Sequence, residues 1–427
     1  MTGIDREVLA RAVEEVRRAT GDPVIAGMFE RSMAENLPAV AERLPDGTTF
    51  VLTGDIPAMW LRDSAAQLRP YLVLCGDDPE LQDVLIGVLH RQLEYIVIDP
   101  YANAFNRAAD GAGHTTDETE MSPWVWERKY EIDSLCYPIE LAYRLWRITG
   151  RKEVIDHRFT AAATAVLELW RIEQDHERNS KYRFQRHDDR PSDTLVRDGR
   201  GRLTQPTGMS WSAFRPSDDA TELGFNVPGN MFASAVLGYL QVIAREVLDD
   251  ESLAAQAEEL KAAIDDGIAR HGMVEHSTFG RVYAYEVDGD GAHLLMDDAN
   301  MPSLLSAPLS GFVAADDPAY LATRKLLLSP ENPYYYSGSA AAGIGSPHTP
   351  PDYVWPIALA VQGLTSTSAD ERQRVLEVLR DTTGGTGQMH EGFHIDDPSK
   401  YTREWFSWAN AMFCELALAH AGRRLPD

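Results

Sequence analysis

Little in this sequence supports a disulfide framework: its three cysteines, Cys75, Cys136 and Cys414, lie far apart and form no CxxC pair. An odd, sparse count fits reduced thiols in a reducing compartment rather than a small secreted scaffold. The stretch MTGIDREVLARAVEEVRRATGDP lacks the basic-then-apolar order of a signal peptide. No run approaches the roughly 18 uninterrupted apolar residues of a membrane span. The expectation is therefore a soluble, cytoplasmic protein with no membrane partner. Basic residues are in deficit, 40 Lys and Arg against 66 Asp and Glu, for a formal net charge of -26. So negative a surface repels phosphate backbones and anionic headgroups, which argues against nucleic acid as a partner. A Gly-rich phosphate loop and a Ser/His/Asp set are also missing, which removes kinases and serine hydrolases.

Strand signals are few, confined to TTFVLTG and to GRVYAYEVDGDG. What remains is helical. Asp78 followed by Pro79 reads as an N-cap with proline at the first helical position, ahead of Leu81, Leu85 and Val88 on one face. A second stripe, Leu135, Ile139, Ala142 and Trp146, starts from Asp133 and closes at Gly150, with Pro138 near the first turn. Asn230 is the expected cap of a helix carrying Val236, Leu240, Ile243 and Val247. Further helices read over ATAVLELWRI, LATRKLLLS, VWPIALAVQGL, ERQRVLEVLR and SWANAMFCELALAHAG. The polar stretch HDDRPSDTLVRDGRGRLT reads as an exposed turn or hairpin. Helix pairs joined by motif-dense loops, with no linker long enough to divide them, predict one domain over residues 1–427. Its architecture is an all-α-dominated toroid of about a dozen helices.

Chemistry concentrates in five loop segments: residues 53–72, 214–232, 297–305, 345–359 and 387–413. Each mixes large apolar side chains with Arg, Asp, Asn or His. That mixture suits sugars, whose C–H faces stack on aromatic rings while their hydroxyls need paired polar partners. Glycoside cleavage requires one carboxylic acid to protonate the leaving oxygen and a second carboxylate to activate water or attack the anomeric carbon. Asp218, Asp219 and Glu391 are the best-placed carboxyls, with Asp63 next. Because Asp218 and Asp219 are adjacent, one is expected to face the cleft while the other pins the loop.

The segments RPSDDA, WLRDS, ERKYEIDSLCYPIE, DDANMPSLL, GSPHTPPDYVWPIAL and MHEGFH resemble glycoside hydrolase family 125, exo-α-1,6-mannosidases of bacteria and fungi. The resemblance runs from about Thr53 to Met412 in the same order. It implies an (α/α)6 barrel, inversion at the anomeric carbon, a mannose-containing oligosaccharide or glycan as substrate, and no metal or other cofactor. By motif it makes Asp218 the general acid and Glu391 the general base, with Asp219 as the fallback acid. Gly392 departs from the family pattern, where serine is usual. The acid's surroundings are expected to raise its pKa, with Asp219 as the source of negative charge. Expected substrate contacts are Trp60, Arg62, Asp63, Arg215, Asp219, Asn300, His348, Trp355 and His390.

Three other readings stay open at this level. His390-Glu391-Gly392-Phe393-His394 spells HExxH, a zinc-protease pattern that requires both histidines on one helical face. The flanking Gly384, Gly385, Gly387 and Pro398 disfavour that helix. A non-catalytic sugar-binding protein and a glycosidase for another sugar share the same expected scaffold.

Overall fold

A computed structural model describes residues 3–426. Six helices of the described chain form an inner ring: Leu61–Ala66 with its continuation Arg69–Leu74, then Ile132–Thr149, Val227–Ile243, Ala307–Ser310, Pro356–Leu364 and Ser407–His420. Leu61–Ala66 packs on Ile132–Thr149, that helix on Val227–Ile243, and the latter on Ala307–Ser310. Pro356–Leu364 packs on Ser407–His420, which returns to Arg69–Leu74 and closes the ring. Pro79–Ile98, His157–Glu173, Glu251–His271, Pro318–Leu327 and Ala369–Asp381 alternate with them in sequence. Arg6–Thr20 and Pro23–Val40 pack on the C-terminal inner helix. This is the helical toroid the sequence predicts.

Local chemistry explains the helix starts. Asp78 accepts the Leu81 amide at 3.0 Å ahead of Pro79–Ile98, and Gly150 ends Ile132–Thr149 in the left-handed region at φ 70°. Inner-ring helices Arg69–Leu74, Val227–Ile243, Ala307–Ser310 and Pro356–Leu364 carry proline in their first turn, Pro70, Pro228, Pro308 and Pro356, where the missing N–H costs nothing. Inner helices are apolar on nearly every face because neighbours cover them all round. Val227–Leu248 is long and apolar enough to cross a membrane by length and composition. Here it packs against Ile132–Thr149 and Glu251–His271.

Two expectations about helix starts are corrected. Asn226, not Asn230, caps Val227–Ile243, accepting the Gly229 amide at 2.8 Å. Asn230 lies inside the helix and pins the Ser210 main chain through both of its amide atoms. Pro138 falls in the second turn of Ile132–Thr149, beyond the first. The strands are short and stand where expected: Thr49–Val51 pairs with Ala41–Arg43, and Gly280–Tyr283 with Met273–His276. The three cysteines are buried, and burial pushes the Cys75 thiol up to about 12.

Candidate active site

The connections entering the inner helices gather at one end of the ring. Arg62 and Asp63 lie in the first turn of Leu61–Ala66, and Glu131 and Asp133 at the start of Ile132–Thr149. Asp218 precedes Val227–Ile243 and Asn300 precedes Ala307–Ser310. His348 and Trp355 precede Pro356–Leu364, and Glu391 and Arg403 precede Ser407–His420. Helix N-termini carry partial positive charge, so a ring of them suits a floor rich in carboxylates. Together they enclose a pocket of about 380 Å³ lined by Trp60, Arg62, Asp63, Asp218, Asn300, His348, Trp355 and Glu391. That volume lies within the range of small-ligand pockets.

Asp218 sits at φ 66°, a left-handed conformation that aspartate tolerates better than most residues. Hydrogen bonds from the Asp218 amide to the Arg215 carbonyl (2.9 Å) and from the Arg215 amide to the Asp219 carbonyl (2.7 Å) fix the turn. Lys129 Nζ donates to the Asp218 carbonyl at 2.7 Å. The two aspartates diverge as expected. The Asp218 side chain keeps 28% exposure toward the pocket, whereas Asp219 is buried beside His348, 3.5 Å from its Nδ1.

Arg62 organises the floor. Its Nη2 donates to Asp218 Oδ1 at 2.8 Å and its Nη1 to Glu131 Oε2 at 2.6 Å. Asp133 Oδ2 lies 3.3 Å from Nη1, and Asp63 Oδ2 3.4 Å from Nε. The expected upward shift at the acid is reversed. Burial raises the Asp218 carboxyl, but Arg62, the Glu131 hydrogen bond, Lys129 and His348 outweigh it and hold it well below the usual range. Upward shifts appear instead behind Asp218: burial pushes Glu131 far up, and Asp63 and Asp133 each to about 6.

Elsewhere in the lining, Glu391 faces Arg403, whose Nη1 is 3.5 Å from Oε1. Trp355 donates its indole N–H to Thr349 Oγ1 at 2.9 Å. A Cβ at Gly392 would stand 3.2 Å from Trp355 Cδ1 and Nε1, so glycine here lets the strand lie against the indole edge. Burial pulls the His348 imidazole down, but the Asp219 hydrogen bond and the charges of Asp219, Asp218 and Glu391 outweigh it and raise it.

Three expected substrate contacts are corrected. Arg215 does not line the pocket; it is committed to Glu286, with Nε donating to Oε1 at 2.6 Å. His390 is buried and stacked on Tyr401 at 3.7 Å. Its Nδ1 faces the Glu404 carbonyl at 2.6 Å, and its Nε2 faces the Thr383 carbonyl at 3.0 Å and the Thr386 hydroxyl at 3.4 Å, so both nitrogens are engaged within the protein. The same geometry removes the HExxH reading, because His394 lies on strand Gly392–His394 rather than one helical turn beyond His390. Asp219 also lies outside this pocket and lines a neighbouring one. Sequence reasoning missed Arg190, Arg403 and Trp408 in the lining. Arg190 belongs to the stretch read as an exposed turn, which reaches the site through Asp193 and its 2.7 Å ion pair with Lys129.

Residues 22–418 match the family described as metal-independent α-mannosidase, GH125. A Streptococcus pneumoniae α-mannosidase of the metal-independent kind, solved in a non-productive complex with α-1,6-mannobiose, is 49% identical. It superposes with a TM-score of 0.96 over 99% of this chain and all of its own, 100%. The meiotically up-regulated gene 157 protein of Schizosaccharomyces pombe is 39% identical over 96% of this chain and 84% of its own length. A bacterial glucoamylase complexed with acarbose shares the toroid at 13% identity, with a TM-score of 0.60 over 96% of this chain and 56% of its own. Family match, sequence identity and the ring of helical hairpins agree, and the chain belongs to the metal-independent α-mannosidases of family GH125.

Proposed function

We propose that this α-mannosidase removes terminal α-1,6-linked mannose with inversion, Asp218 serving as general acid and Glu391 as general base. The observation that carries the reading is the placement of these carboxyls in one pocket, on the connections before Val227–Ile243 and before Ser407–His420. Asp218 protonates the glycosidic oxygen as the bond to the anomeric carbon breaks. Glu391 takes a proton from water attacking the opposite face of that carbon. Trp60, Trp355 and Trp408 offer apolar surface to the sugar ring, while Arg62, Asp63, Asn300 and His348 present polar groups to its hydroxyls. The linkage is supported by the α-1,6-mannobiose bound in the pneumococcal relative.

The test is hydrolysis of α-1,6-mannobiose followed by NMR of the first-formed anomer, with and without excess EDTA. Release of β-mannose at a rate indifferent to chelator is expected. First-formed α-mannose would overturn inversion, EDTA sensitivity would require a metal step, and no hydrolysis beside activity on another disaccharide would change the sugar or linkage.

A further inference from the structure

Four carboxyls, from Asp63, Glu131, Asp133 and Asp218, contact the single guanidinium of Arg62. Full ionisation would set four negative charges against that one positive charge. The other nearby cations, although Lys129 and His348 also act on Asp218, each make their closest ion pair with a different carboxylate. Lys129 pairs with Asp193 and lies 4.0 Å from Glu127, Arg186 is held by Asp117 and Glu127, and Arg403 and His348 face Glu391 and Asp219. Such an excess of buried negative charge is relieved by retaining a proton. Glu131 is the natural holder, since its side chain has 0% exposure against 28% for Asp218.

The two carboxyls bind the two terminal nitrogens of the same guanidinium, Glu131 Oε2 on Nη1 at 2.6 Å and Asp218 Oδ1 on Nη2 at 2.8 Å, and two carboxyls held side by side relieve their repulsion by sharing one proton. Ser134 Oγ donates to Glu131 Oε2 at 2.9 Å, and Asn103 Nδ2 lies 3.3 Å from Oε1, holding the side chain in place. Although Glu131 occupies the N-cap position of Ile132–Thr149, its side chain does not cap that helix. It is turned instead toward Arg62, Ser134 and Asn103.

We propose that Glu131 is the proton store of the pocket: it and Asp218 hold one proton between them, and Glu131 passes it to Asp218 in each turnover. This deepens the assignment of Asp218 as the acid and rests on it. In the step, Glu131 O–H gives its proton to the Asp218 carboxylate, and Asp218 gives it to the glycosidic oxygen. That oxygen leaves with both electrons of its bond to the anomeric carbon. Water adds to that carbon and loses a proton to Glu391. Glu391 releases the proton to solvent, and solvent reprotonates the pair. Glu131 touches no substrate and is a positioning residue acting through Asp218. The opposite displacements of the two groups, Glu131 upward and Asp218 downward, accord with this distribution.

The experiment compares Glu131→Gln on α-1,6-mannobiose, whose leaving alcohol needs a proton, with 2,4-dinitrophenyl α-mannoside, whose phenolate does not. The expected loss in kcat is about 100-fold on the disaccharide and under about tenfold on the aryl mannoside. The alkaline limb of the disaccharide kcat profile should move toward acid by about one unit or more. Glu131→Asp, which keeps a titratable group, should recover part of the disaccharide rate and return the limb toward its original place. Equal losses on both substrates with an unmoved limb would overturn the proposal. So would a Glu131→Asp enzyme no better than Glu131→Gln. Asp218→Asn in parallel separates the two readings: if it loses equally on both substrates, the acid assignment itself fails, whatever Glu131 does.

Discussion

Two buried arginines stand seven residues apart, Arg62 and Arg69, on consecutive short helices of the inner ring. Arg69 binds Glu415 with two hydrogen bonds of 2.8 and 2.9 Å and reaches Glu140 at 3.1 Å. Arg144 completes that group with a 3.2 Å bond to Glu140. Two guanidiniums thus meet two carboxylates, and the charges close. Around Arg62 they do not, because one guanidinium meets four carboxyls. The difference separates two uses of a buried ion pair. A balanced group holds helices together, whereas an unbalanced one keeps a proton in play.

The largest expected effects lie at the unbalanced end. Asp218→Asn and Glu391→Gln should each lower kcat on α-1,6-mannobiose by about 10²–10⁴-fold with unchanged circular dichroism and melting temperature. A full-rate Glu391→Gln enzyme would remove the base assignment. At the balanced end, Arg69→Met leaves Glu140 and Glu415 short of a partner. It should cost about 3–5 kcal/mol in denaturant unfolding, while the folded fraction keeps the shape of its pH–rate profile. A displaced profile would mean that both arginines serve the chemistry, and the contrast would collapse.

Asp219→Asn should cost about tenfold in turnover, through a less well-held His348 and acid loop. A larger loss than that of Asp218→Asn would exchange their roles. Asp297 sharpens the comparison from outside both groups. It is fully buried without a cation and accepts the Leu304 amide at 2.8 Å and the Leu305 amide at 3.0 Å. Burial lifts its carboxyl to about 8 from 3.8. Its folded form therefore keeps a proton that the unfolded chain has lost, so its contribution to stability declines as pH rises between those values. Asp297→Asn should cost about 1–3 kcal/mol at pH 5, with the deficit narrowing toward pH 8. A constant deficit across that range would show that Asp297 ionises normally.

Much of this was legible in the chain because its signals are local. The cap at Asp78, the left-handed stop at Gly150 and the helical stripes each need only a few neighbouring residues, and the structure places them as read. Loop motifs that crowd Trp, Arg and Asp marked Trp60, Arg62, Asp63, Asn300, His348 and Trp355, all of which line the pocket. Arg215 and His390 sit in equally dense motifs and do not line it. Their partners, Glu286 and the carbonyls of Thr383 and Glu404, come from pairings that spacing does not encode. For the same reason Arg190 was hidden in a polar stretch, and the direction of the Asp218 shift depends on Arg62, 156 residues away.

Closure of the ring joins Arg69 to Glu415 across 346 residues of chain, and the pocket likewise draws on Trp60 near one end and Trp408 near the other. Long-range contacts of this kind form late, after the entropy of closing the intervening loop has been met. The nascent chain on a ribosome therefore has helices well before it has an enzyme. Recovery of mannosidase activity during refolding would time the last seam of the ring, whereas far-UV dichroism would report hairpins that assemble earlier.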